Sequence, residues 1–344
     1  MTLKYLIQKE ILQIRRNTFL PRLIIMFPVM IMCVMPWVMQ MEVKNIRVDV
    51  VDIDRTTESQ RLVHDIEASR YFIFNAMQPT YQAAMKDIEH GKADIILEIR
   101  DGKYLIAANA VNGTKGAMGS AYLSQIVTKD LRMNGADVLN LYNKGQNYKL
   151  FMIPALLAIV MMLMTGFLPT LNIVGEKETG TIEQINVTPV SKWAFILSKL
   201  IPYWVIALFV VTVCLVLAWL VYGITPVGSV WLVYLLAMLL ALFFSSFGLI
   251  ISNYSDTMQQ AIFVMWFFVV CIMLLSGLFT PTRSMPHWAY LSTYVNPMHY
   301  FIDAIRTVFI RGGSFHDIAH QVLALMGIGT VMACWAVLSY KKNS

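Results

Sequence analysis

The sequence predicts a mainly α-helical, polytopic membrane protein with six transmembrane helices and an extracytoplasmic α/β domain inserted between the first and second. Three observations carry that reading. Of 344 residues, 57% are hydrophobic and 14% charged, outside the usual range of a soluble domain. Several runs free of Asp, Glu, Lys and Arg reach the roughly 20 residues that a helix needs to cross a hydrocarbon core about 30 Å thick. A single long polar stretch, residues 42–149, interrupts them.

Residues 1–18 place Leu3, Ile7, Ile11 and Ile14 at helical spacing with Lys4, Lys9, Arg15 and Arg16 elsewhere, as expected of an amphipathic helix in the headgroup layer. A plain cytoplasmic helix would share the pattern. Residues 19–41 form the expected first span. It is interrupted by Pro28 and Pro36 and has no small-residue cleavage pattern after it, so it reads as a retained span and not a signal peptide.

The insert, residues 42–149, reads as a folded domain. Ile46, Val48 and Val50 alternate as a strand; Leu62, Val63 and Ile66 fit a helix face; Tyr71 to Phe74 suggest a second strand. Tyr81, Ala84, Met85 and Ile88 repeat at helical spacing. Asp101-Gly102, flanked by the apolar runs Ala93 to Ile99 and Tyr104 to Ala108, is a hairpin signal. Gly116 to Asn147 is mostly helical in pattern and would lead back to the second span.

Residues 150–344 hold the other five expected spans. Leu150 to Gly175, Thr257 to Thr282 and Ile318 to Tyr340 are each free of charge. Leu200 to Ser255 holds two, divided by the Gly and Pro punctuation of Tyr222 to Ser229. Between the fifth and sixth, residues 282–312 are too polar to span and too apolar for an ordinary loop. Short re-entrant or interfacial helices fit, with Pro286 and Pro297 near their starts.

Basic residues cluster before the first span, between the second and third at Lys177, Lys192 and Lys199, and at the end of the chain at Lys341 and Lys342. With an even number of spans, these segments and both termini are expected to face the cytoplasm. The net charge of +6 is topological, because the insert balances its acidic and basic residues; no nucleic-acid face is implied. Cys33, Cys214, Cys271 and Cys334 all fall in expected spans, so no disulfide is read.

Between the second and third spans runs Glu176-Lys177-Glu178-Thr179-Gly180-Thr181-Ile182-Glu183-Gln184, continuing to Thr188-Pro189. Three Glu residues in hydrocarbon would cost on the order of 8–10 kcal/mol, so the segment belongs in the cytoplasm. A solvated loop and a docking element both satisfy that constraint. Its glycine spacing is not a P-loop, because Thr181 stands where the phosphate-binding Lys is required and no strand precedes it. His316 and His320 share a helix face, but no third metal ligand is apparent, and Ser314 with Asp317 reads more simply as a capping box. Asp303 and Arg306 could neutralise each other at the membrane surface or line an external gate. Methionines crowd the first two spans, suiting either helix packing or an adaptable apolar surface.

The segment from Glu176 through Val187-Thr188-Pro189 resembles the motif between the second and third spans of ABC transporter type-2 permeases. Asn296-Pro297-Met298-His299-Tyr300 with Arg306 and Gly312 resembles that family's motif before its last span. The resemblance covers essentially the whole chain. It implies that residues 176–190 form a cytoplasmic coupling helix, with Glu176, Glu178, Gly180, Thr181, Glu183 and Pro189 matching the motif. It further implies a separate cytoplasmic ABC ATPase that binds ATP and Mg, no cofactor in this chain, and pairing with itself or a similar permease, with a periplasmic adaptor as a possible further partner. Pro286, Asn296, Pro297, Asp303, Arg306 and Gly312 are expected at an external gate. The large insert is similar to those of the drug-export branch. With few ionisable groups in the spans, the expected cargo is hydrophobic or amphipathic and not an inorganic ion. The alternative is a membrane-anchored receptor or scaffold whose external domain binds a ligand or an envelope partner.

Overall fold

A charge-free run crosses a bilayer only where it is also one continuous helix of sufficient length. The computed structural model describes residues 2–18, 20–38, 46–109, 113–131, 148–182, 190–278, 282 and 285–340. Among these, four helices are long and apolar enough to cross a membrane: Lys149–Glu178, Lys192–Tyr222, Val230–Tyr254 and His316–Ser339. A pair bent by 70°, Leu3–Arg16 with Leu20–Pro36, makes five if it is counted as one span. The six spans expected from the sequence are therefore corrected to four, or five with the bent pair. Thr257 to Thr282 shows the cause. Its helix covers only Met258–Leu274, 17 residues, which is about 25 Å of rise. Gly277, at φ +82°, then takes the chain out of helical conformation. The first expected span carries Pro28 and Pro36 inside its helix, each removing a backbone donor. Four spans still leave both termini on one side and five do not, so the count no longer fixes their orientation.

In chain order the elements are α1 (Thr2–Arg16), α2 (Leu20–Val38), β1 (Ile46–Asp52), α3 (Thr57–Glu67), β2 (Phe72–Met77), α4 (Tyr81–Glu89), β3 (Ile95–Arg100), β4 (Lys103–Ala108), α5 (Gly113–Leu131), α6 (Tyr148–Glu178), α7 (Lys192–Tyr222), α8 (Val230–Tyr254), α9 (Met258–Leu274), α10 (His287–Thr293), α11 (Pro297–Arg306) and α12 (Ala319–Ser339). They divide into two compact units, residues 40–141 and residues 1–39 with 142–344.

The smaller unit is a four-stranded sheet of order β2-β1-β3-β4. Strand β1 runs parallel to β2 and β3, connections that require helical crossovers, and β3 pairs antiparallel with β4. Ile46, Val48, Val50, Ile95 and Leu97 bury one face against Leu62, Val63 and Ile66 of α3 and Leu123 and Val127 of α5. Val51 and Ile96 bury the other against Ala84 of α4. The β3–β4 turn is Asp101-Gly102, at φ +51° and +67°, the conformation that a two-residue hairpin of this twist demands. Its two backbone N–H groups donate to the Asp54 carboxylate at 2.8 and 2.9 Å, which pins the hairpin to the end of β1.

A β-bulge between Val48 and Asp49 leaves Asn75 of β2 unpaired in the ladder, and its side chain turns to donate to Asp49 Oδ1 at 2.7 Å. Asp49 is buried, and Oδ2 has no hydrogen-bond partner among the described residues. Burial, followed by the neighbouring Asp87 carboxylate, raises the Asp49 pKa above its ordinary value, against the lowering effect of Asn75. The folded unit thus holds this proton more tightly than the unfolded chain. Stability is highest below the ordinary aspartate range, near 3.9, and declines as pH rises towards the raised value. Asp49→Asn should flatten that dependence and leave β1 and β3 better protected at neutral pH. Hydrogen exchange of the sheet amides, corrected for intrinsic rates, measures it; an unchanged pH slope would refute the assignment.

The larger unit is built round α6 and α8. They approach so closely that a Cβ added at Gly248 would lie 2.5 Å from the Gly166 carbonyl oxygen. Of the methionines, Met32, Met161 and Met162 are buried in this core, whereas Met26 and Met30 are exposed on α2.

Candidate functional site

Helix α6 ends in the charged motif, and Gly180 at φ +73° closes it, donating its N–H to the Lys177 carbonyl at 3.0 Å. A Cβ at Gly180 would meet nothing within 4 Å. The constraint at this position is backbone conformation, and space is not limiting.

Each of the three charged residues before Gly180 grips a different part of the unit. The Glu176 carboxylate accepts from Lys9 Nζ of α1 at 2.7 Å and from Lys199 Nζ of α7 at 2.5 Å. Lys177 donates to the carbonyls of Ser252, Asn253 and Ser255 at 2.5, 3.1 and 3.2 Å. These lie at the C-terminal end of α8, where carbonyls lack helical partners and the dipole favours a cation. The Glu178 carboxylate accepts the backbone N–H of Met258, the first residue of α9, at 2.7 Å, where the dipole favours an anion. One short segment therefore fixes α1, α7, α8 and α9 to the end of α6.

Behind Glu176 lies a buried ionic cluster. Glu10 accepts from Lys199 at 2.7 Å, from Lys9 at 3.0 Å and from Asn172 Nδ2 at 2.9 Å. Gln13 Nε2 donates to Asn172 Oδ1 at 3.1 Å. Lys199 is 0%, Glu10 2% and Glu176 4% exposed. Two ammonium groups balance two carboxylates, so the cluster is neutral, and hydrogen bonding offsets the desolvation of its members. Thr179 and Thr181 donate their hydroxyls to the Gly175 and Glu176 carbonyls at 2.9 and 3.2 Å, satisfying acceptors at the helix end.

The model of the ABC-2 family transporter protein family matches residues 22–338. The chain belongs to that family. This ABC-2 permease is similar to the probable multidrug ABC transporter permease YbhR of Escherichia coli K12, at 25% identity over 360 aligned residues, with 98% of each chain covered. It is also similar to the probable multidrug permease YbhS of the same organism, at 29% over 47% of this chain and 43% of the relative. The inner membrane transport permease YhhJ matches at 28% over 50% and 46%. As an ABC-2 permease, the chain is a non-catalytic membrane subunit that works with a cytoplasmic ATPase.

Of the residues expected from the resemblance to form a coupling motif, Glu183 and Pro189 lie outside the described residues. Glu176 is buried and turned inward, whereas Thr181 is exposed. The residues expected at an external gate gather round α10 and α11. Pro286 precedes α10, and Pro297 opens α11. Asn296 caps α11 by accepting from Met298 N–H at 3.0 Å, and it donates to the Ile272 carbonyl near the end of α9 at 2.8 Å. Asp303 accepts from Gln321 of α12 at 2.6 Å. The Arg306 guanidinium stacks 3.7 Å from the centroid of Phe151. Gly312, at φ +69°, ends a π-helical turn, Thr307–Arg311, against Val227. Asp303 and Arg306 line one cavity of about 230 Å³ with His299, Ser276 and Gly277.

The sequence reading missed Lys9, Glu10, Asn172, Lys177 and Lys199 as members of the contacts at the end of α6. Lys199 read as a basic residue marking membrane orientation, and Lys9 as a headgroup-facing cation. Lys9 and Lys199 stand 167 and 23 residues away from their partner Glu176, beyond the reach of any local pattern. Glu176 and Lys199 both lie near the ends of helices long and apolar enough to cross a membrane.

Proposed function

We propose that this permease exports a hydrophobic or amphipathic, drug-like substrate across the bacterial inner membrane, driven by ATP hydrolysed on its cytoplasmic partner. Residues 176–190 are the contact for that ATPase. The pathway forms between two permease chains, either two copies or a copy and a similar permease. The observation that carries this reading is the three-way grip of Glu176, Lys177 and Glu178. Displacement of the segment beyond Gly180 is passed at once to α1, α7, α8 and α9, and through the Asn296 tie on α9 to α11 and the cavity beside Asp303. The basic residues around the motif support a cytoplasmic location for it, and the names of two relatives support a multidrug cargo. The insert, residues 42–149, lies on the outer side in this arrangement.

Substituting both members of the α8–α9 clamp, Lys177→Met with Glu178→Gln, should leave the permease in the membrane and bound to its ATPase while ATP-driven efflux falls about tenfold or more, since the three charged hydrogen bonds of Lys177 and the one of Glu178 lose their charge or their donor. Glu183→Lys should instead weaken association with the ATPase. Reconstituted efflux and co-purification read the two effects separately. Full efflux from the clamp variant would remove the transmission role, and unchanged association of Glu183→Lys would remove the contact.

A further inference from the structure

Beside the ionic cluster lies a second cavity, of about 620 Å³, bounded by α1, α2, α6 and the start of α9. That volume suits a drug-sized or single-chain ligand. Its lining changes character along two elements in the same sense. On α6 it runs from Leu168 and Leu171 through Asn172 to Glu176, and across the α2–α1 bend it runs from Leu23 and Leu20 to Gln13 and Lys9. The 70° bend means that where α2 crosses steeply, α1 lies close to the membrane plane. The polar end of the cavity then sits at headgroup level and the apolar end in hydrocarbon.

Of the two charged residues lining the cavity, Lys9 and Glu176, Lys9 is the more exposed. The Lys9 side chain is 41% exposed, whereas its carboxylate partners Glu10 and Glu176 are 2% and 5% exposed. Lys9 gives one N–H to each of them, and an ammonium group has three. We propose that this cavity binds an amphipath with an anionic head and an apolar body, the head on Lys9 and the body along Leu20, Leu23 and Leu171. The site deepens the exporter reading by naming a chemical class of cargo, and it rests on that reading only for the cargo's fate. An inner-leaflet phospholipid and an exported drug-like anion present the same chemistry.

The test uses the full-length protein in an uncharged detergent, without ATPase or nucleotide. A lysophosphatidic acid carrying a diazirine on its chain is photolysed with it, alongside an alkyltrimethylammonium diazirine of equal length. The anionic probe should label peptides containing Leu20 to Leu23 or Leu168 to Asn172 saturably, and the cationic probe should not. Lys9→Gln should weaken the anionic probe about tenfold or more, the effect of losing one charged hydrogen bond. Leu171→Trp fills the apolar end while keeping every charge, and it should abolish labelling without lowering the melting temperature. Equal labelling by both probes, or saturable labelling untouched by Leu171→Trp, overturns the proposal.

Native mass spectrometry distinguishes the sources. A co-purified phospholipid displaced by the probe identifies the bilayer, whereas ATP-driven export of the probe from an otherwise empty site identifies cargo; both support the site. Absent labelling with intact efflux sinks the cavity alone, and labelling with no efflux sinks the exporter reading alone.

Discussion

Lys199→Met should destabilise the protein by about 3–5 kcal/mol, the usual effect of removing one member of a buried ion pair. Lys199 is fully buried and holds both Glu10 and Glu176, at 2.7 and 2.5 Å. Without it, two buried carboxylates share the single, partly exposed cation Lys9. The loss arises from unbalanced charge and not from missing volume, because Met nearly matches the Lys stem. A second substitution therefore separates the explanations. Lys199→Met with Glu10→Gln restores neutrality, one cation against one anion, and should recover much of the loss as a coupling energy in a double-mutant cycle. Thermal unfolding in detergent, with the monodisperse fraction by size exclusion, measures both. A double variant no more stable than Lys199→Met would rule out charge balance as the cause.

Gly248→Val should disrupt the α6–α8 crossing. A Cβ at position 248 would lie 2.5 Å from the Gly166 carbonyl oxygen and in contact with Thr170 Oγ1. The threonine hydroxyl itself donates to that carbonyl at 2.7 Å. Neither obstacle is the end of a flexible side chain, so the helices must separate, and both lie in the main apolar core. Overpacking of this kind costs about 1–3 kcal/mol for the smallest additions and more for larger ones. Gly248→Ala should therefore lower the melting temperature measurably and Gly248→Val more, whereas Gly327→Ala, with nothing within 4 Å of its Cβ position, should be nearly silent. Equal melting temperatures for all three would show that the helices are not held at this distance.

The smaller unit was legible where local rules decide. Alternation at Ile46, Val48 and Val50 coincides with β1, and Asp101-Gly102 turns β3 into β4. The membrane count was not legible, because absence of charge from Thr257 to Thr282 says nothing of where the helix stops, and Ser276-Gly277 stops it early. The motif from Glu176 drew attention through its composition and its family resemblance, yet the residues that give it mechanical meaning could not be read. Lys199 carries no local sign that it will be buried, and Glu10 none that it will meet Asn172, 162 residues on. Such contacts follow from how helices assemble, which periodicity does not encode.

The three charged residues at the end of α6 are contiguous, and a helix advances about 100° per residue. Contiguity is what sends Glu176, Lys177 and Glu178 in three separate directions, towards α1 and α7, the tail of α8 and the head of α9. Their order also has a sign, since the lysine meets a negative helix end and the following glutamate a positive one. Exchanging Lys177 and Glu178 would conserve composition and net charge while setting each against a pole of its own sign. A single inserted residue would rotate all three away from their partners, so this stretch should tolerate neither transposition nor change in length.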